Sequence, residues 1–268
     1  MTAHGVLQAQ RLAAHLVERS SVTGPISHVF SSDLQRAERT AQAIIDQASS
    51  RSIYGASDSA GRLRLVRVPD IRERDFRSGE GKRFGTPHQD AETHEEMRVR
   101  AARFIETHLS PLLYRRADAS PRGETSVIVV AHGIILNAIL RVLLTRFAPA
   151  ELGRLSRSSA SGRSEYLATW SNTGYLEAVV RALPLPAPAQ EIAFAGSSSA
   201  AVSSTISRQR PPRIRLAIVR INSVDHLQGL RKTRGGIGSA AYDGPWTRSS
   251  VPRRDHLRHN MGSTTYAI

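Results

Sequence analysis

The chain has 268 residues, enough to bury one sizeable core or one core with an appendage. A composition of 40% apolar and 22% charged residues is globular, and no apolar run approaches the ~20 residues that a membrane span needs. Zero cysteines exclude disulfides and thiolate metal sites and fit a reducing compartment, so the expected location is cytoplasmic or nuclear.

Met1–Gln10 lacks the basic-then-apolar order of a secretory signal. The formal charge of +14 is unevenly spread. Residues 203–268 hold twelve basic side chains against three acidic ones, which leaves +5 for residues 1–202. Two readings of this tail stay open, weak binding of a polyanion or a solvated basic segment. Of the 37 basic residues 35 are Arg, which looks more like coding bias than recognition.

Residues 3–19 place Leu7, Leu12, Ala13, Leu16 and Val17 at helical spacing, with Thr2 set to cap the helix. Ile26–Ser31 reads as a strand, and Ser32-Asp33 then caps a helix reaching about Gln47. Residues 49–61 read as loop, Leu63–Val68 as strand, and Ile71–Lys82 as a site-forming loop. A long helix is predicted from about Ala91 to Leu113. Ser126–Ala131 (SVIVVA) is short and continuously apolar, as a strand buried on both faces should be. His132-Gly133 follows, and a helix begins at once.

Tyr166–Trp170 and Gly174–Arg181 read as strands around a turn at Ser171-Asn172-Thr173. The expected organisation is an α/β domain over 1–183, a Pro/Ala/Ser-rich linker over 184–212, a returning strand and turn over 213–234, and a disordered basic tail over 235–268.

A buried strand ending in His-Gly puts an imidazole at the carboxyl end of a sheet, beside a helix N-terminus that favours anions. His132 is therefore a candidate phosphate ligand or acid/base group, although a histidine at such a place is more often simply buried. Arg36 lies in the first turn of its helix, where a guanidinium can grip a phosphate with two hydrogen bonds; its other reading is a surface pair with Glu38 or Asp33. Glu73 stands between Arg72 and Arg74. It is a proton donor to a leaving alkoxide or a surface ion pair.

The strand-His-Gly-helix at 126–144, SSDLQRAERTAQAI at 31–44 and RERDFRSGEGK at 72–82 together resemble the histidine phosphatase superfamily, phosphoglycerate mutase-like branch. The opening MTAHGVLQAQRLAAHL is similar to that family's first helix, and residues 170–177 and 225–239 look like fungal members. The resemblance implies a three-layer α/β/α sandwich whose sheet is mostly parallel with an antiparallel edge. It implies phosphomonoester hydrolysis or phosphoryl transfer through a phosphohistidine, on a phosphorylated small molecule or a phosphoprotein. No cofactor and no metal are implied. It assigns His132 and Glu73 to catalysis and Arg36 to the phosphate, and places Asn172 near it.

The resemblance also implies an Arg-His-Gly strand ahead of residue 1, and the 268 residues contain no such triplet. His4-Gly5 matches the family's Thr-x-x-Gly position instead. The chain is thus expected to lack its first strand and its nucleophile, to be inactive as it stands, and to leave the strands at 26–31 and 126–131 short of a neighbour. Arg36, Glu73 and His132 are expected to face one cavity. The competing reading is a non-catalytic protein that binds a phosphate, polyanion or partner with this pocket and the basic tail.

Overall fold

A computed structural model describes residues 1–52, 63–82, 90–117, 125–158, 167–182, 214–230 and 263–267. The chain begins with α1 (Ala3–Thr23), where Thr2 Oγ1 accepts from Gly5 N at 3.1 Å, the cap its sequence announces. Leu12, Ala13, Leu16 and Val17 form its buried stripe. Then come β1 (Ile26–Ser31), α2 (Gln35–Ser52) and β2 (Leu65–Arg67). The helix α2 overruns its predicted end, with Ser50 Oγ donating to the Asp46 carbonyl at 2.8 Å in the last turns.

Two 3-10 turns, Pro69–Ile71 and Arg77–Gly79, shape the loop that follows. A capping box between Thr93 and Glu96 starts α3 (His94–Phe104), which runs through a π turn (Ile105–Leu109) into α4 (Ser110–Ala117). Next are β3 (Ser126–Val130), α5 (Gly133–Phe147), α6 (Pro149–Ser158), β4 (Tyr175–Ala182) and β5 (Ile214–Ser223). The last element is β6 (Ser263–Ala267).

The sheet order is β2-β1-β3-β6-β4-β5. The neighbours β2, β1, β3 and β6 run parallel, while β4 is antiparallel to both β6 and β5. The fold is therefore α/β, a mostly parallel sheet with an antiparallel edge. One apolar cluster packs α3, the π turn and α5 against the sheet through Phe104, Ile105, Ile139 and Leu144. The other packs α1 and α2 on it through Leu12, Leu16, Ile44 and Val29. Helices thus cover both faces, and β3 between them is buried over Ser126–Val129, as its unbroken apolar run requires.

Three expectations need correction. The segment 235–268 was expected to be disordered throughout, yet Ser263–Ala267 form β6; residues 235–262 and Ile268 lie outside the described residues, as does the linker 184–212. Thr264, Thr265 and Tyr266 suit a strand, but five residues carry no readable period. The second correction follows from the first. β1 is bonded to β2 and β3, and β3 to β1 and β6, with Ser126, Val127 and Ile128 opposite Thr265, Tyr266 and Ala267.

The third correction concerns residues 167–170, which are not a strand. The buried Asn137 on α5 supplies what a neighbouring strand would: its Oδ1 accepts from Leu167 N and Ala168 N, both at 2.9 Å, and its Nδ2 donates to the Ala168 carbonyl at 3.0 Å. No described helix is long and apolar enough to cross a membrane.

Candidate functional site

β3 ends at Val130, and the next turn lifts His132 out of the sheet as the residue that precedes α5. β1 ends at Ser31 and feeds α2, whose first turn carries Arg36. The two junctions are tied together by Ser32 N donating to the Val130 carbonyl at 2.9 Å. Parallel pairing of β1 and β3 thus brings both strand-to-helix turns to the same end of the sheet.

Arg36 Nε donates to His132 Nδ1 at 3.0 Å. A guanidinium can only donate, so Nδ1 holds a lone pair. The neutral ring then carries its proton on Nε2, which donates to Ser32 Oγ at 2.9 Å. Ser32 Oγ also accepts from Leu34 N at 3.2 Å. Arg36 forms neither of the surface pairs open to it, because Glu38 engages Arg67 and Asp33 engages Arg72.

The His132 ring is pushed down to about 4 from 6.5, first by burial, then by the positive charges of Arg36 and Arg100, with Asp33 opposing them. The imidazole is therefore neutral at pH 7. Asp33 itself is held below the usual carboxylate range by its hydrogen bonds from Arg72.

Glu73 does not pair with its flanking arginines. Arg72 forks onto Asp33, and Arg74 Nε donates to the Glu92 carbonyl. The Glu73 carboxylate instead accepts from the backbone amides of Arg74 at 2.9 Å, Ile135 at 3.2 Å and Ile134 at 3.4 Å. It sits on the opening amides of α5, where an anion is favoured.

Arg36, Glu73, His132 and Asn172 all line one cavity of about 640 Å³, together with Gly133, Thr40, Trp170 and Thr173. Asn172 donates to Gln8 Oε1 of α1, which fixes its amide at the rim. The rim turn is tightly built: a Cβ on Gly174 would lie 2.1 Å from Asn222 Oδ1, the atom that accepts from Ser171 N at 2.9 Å. His4 is not among the lining residues. Sequence reasoning missed Ser32 as the partner of His132, since a serine before a helix reads first as a cap. It also missed Trp170, read as part of a strand. No group of three or more His, Cys, Asp or Glu gathers to hold a metal among the described residues.

The profile of the histidine phosphatase superfamily (branch 1) matches residues 1–164, and the chain belongs to that superfamily. Among solved structures, mycobacterial hydrolase 1 aligns with a TM-score of 0.51 at 17% identity, over 83% of this chain and 86% of that one. A phosphoglycerate mutase from Bacillus anthracis str. Sterne aligns with a TM-score of 0.38 at 18% identity, over 54% and 69%. The native structure of a mycobacterial glucosyl-3-phosphoglycerate phosphatase gives 0.38 at 20% identity, also over 54% and 69%. No curated protein matches.

Proposed function

We propose that the cavity holds the phosphoryl group of a phosphorylated small molecule or phosphoprotein, and that the 268-residue chain binds it without turning it over. Arg36 supplies the cation, since a guanidinium grips two phosphate oxygens in one plane. His132 and Asn172 contact the remaining oxygens. In the family's chemistry, phosphomonoester hydrolysis or transfer through a phosphohistidine, Glu73 is the residue that would protonate a leaving alkoxide. The observation that carries this reading is the 3.0 Å contact between Arg36 and His132 at the N-terminus of α5, in a shared cavity with Glu73.

The absence of turnover rests on the absence of an Arg-His-Gly triplet from the sequence. His132 is bonded on both ring nitrogens, to Arg36 and Ser32, and makes a phosphate ligand better than a nucleophile. A degenerate member of the superfamily fits these features. Most of the basic tail that a polyanion-binding reading relies on lies outside the described residues.

The test pairs calorimetric titration of inorganic phosphate with incubation on an aryl phosphate. Binding in the wild type, loss in R36A and no product support the proposal. Turnover with an acid-labile phosphohistidine refutes the claim of inactivity, and absence of phosphate binding refutes the site.

A further inference from the structure

Glu73 belongs to an irregular loop, yet its carboxylate meets two specific amides of α5. Something must fix the backbone around it. Arg100, on α3, donates all five of its N–H groups. Nε and one Nη2 hydrogen bind the Glu92 carboxylate at 2.5 and 2.8 Å. Nη1 donates to the carbonyls of Asp70 at 2.8 Å and Arg72 at 2.6 Å, and Nη2 reaches the Glu73 carbonyl at 3.2 Å. Three carbonyls within four residues of loop are gathered by one planar fork.

Glu92 completes the frame. It lies just before the capping box of α3, and its Oε2 accepts from Asp75 N at 3.1 Å while its own N donates to the Asp75 carbonyl at 2.8 Å. Its carbonyl accepts from Arg74 Nε at 2.6 Å. The Arg100 and Glu92 side chains are only 13% and 11% exposed. A fully satisfied buried pair of this kind fixes geometry more surely than it adds stability.

We propose that Arg100, braced by Glu92, is a positioning residue that sets the loop backbone so that the Glu73 carboxylate lands on the first amides of α5, at the edge of the anion cavity. The step from this geometry to phosphate handling rests on the proposed function; the step from Arg100 to Glu73 does not. Lysine in place of Arg100 keeps the charge but offers three donors from one point, which cannot span two carboxylate oxygens and three carbonyls.

The test uses R100K, R100M and E92Q in the full chain, with R103A as control. Arg103 also reaches this loop from α3, through Asp70, but its side chain is 61% exposed. Three quantities are read: amide exchange at Ile134 and Ile135, affinity for inorganic phosphate, and the titration midpoint of His132. In R100K, exchange at Ile134 and Ile135 rises selectively against the β3 amides, phosphate binding weakens by about tenfold, and the His132 midpoint stays low because the charge is kept. In R100M the midpoint also moves up. E92Q follows R100K if the lysine variant does not fold, and R103A changes none of the three.

Unchanged exchange at Ile134 and Ile135 in folded R100K or E92Q overturns the proposal, as does an equal rise across β3, which marks general destabilisation. Failure of the wild type to bind phosphate refutes the proposed function alone, since the exchange readout needs no ligand.

Discussion

Arg36 and His132 lie 96 residues apart in the chain, and the Arg36 Nε proton points at the lone pair of His132 Nδ1 from 3.0 Å. The contact keeps a cation beside an imidazole and so disfavours a second positive charge there. Removing it should be visible on the ring itself. R36Q is expected to raise the His132 midpoint above 4 but leave it below 6.5, because burial is the larger cause and remains. Histidine-selective NMR titration checks this, and an unmoved midpoint would mean the two side chains do not interact in solution.

Acid should weaken the fold through its histidines. His132 and His226 are each lowered from 6.5 to about 4, chiefly by burial. The folded state then binds fewer protons than the unfolded state between pH 6.5 and 4, so stability is present above that window and lost as pH falls through it. His226 packs against the rings of His15 and Tyr175, accepts or donates at Thr173 Oγ1, and adjoins Asp225. Thermal melts from pH 7 to pH 4.5 should show a falling Tm, with a shallower fall in H226Q. Equal slopes in both proteins would contradict the assignment.

Glu177 on β4 is 5% exposed and faces Arg19 of α1 at 2.6 Å and Arg220 of β5 at 3.3 Å. Without the carboxylate, Arg19 loses this counter-charge and Arg220 keeps only Asp225, at 3.4 Å. E177A is expected to cost about 2–3 kcal/mol, at or just under the range for breaking a buried pair, because both arginines keep some contact with water. Urea denaturation measures it.

The strand β6 joins the parallel and antiparallel parts of the sheet, since it is bonded to both β3 and β4. Deleting residues 263–268 strips partners from Ser126–Ile128 on one side and from β4 on the other. Unpaired buried backbone groups cost about 1–3 kcal/mol each, so the deletion should remove at least ~3 kcal/mol and broaden the unfolding transition. A variant that melts as sharply and as high as the full chain would show that β6 contributes little.

The elements that sequence reveals best here are those whose signal is local. Ser126–Val130 followed by His132-Gly133 carries its own burial, its own end and its own helix start in eight residues. Arg36 and Glu73 were legible as members of familiar motifs, but their partners were not. Local charge suggested Arg36 with Glu38 and Glu73 with its arginine neighbours, whereas tertiary packing sends Arg67 to Glu38 and Arg72 to Asp33. Arg100 was invisible because its targets are backbone carbonyls, which every sequence has. β6 was hidden because its partners β3 and β4 lie more than 80 residues away.

The most direct measurement is the His132 titration with and without inorganic phosphate. A phosphate gripped by Arg36 withdraws that cation from Nδ1 and sets negative charge near the ring. The expected result is a saturable rise of the midpoint from about 4, abolished in R36A. A midpoint indifferent to phosphate at every concentration would contradict an anion site at Arg36 and His132.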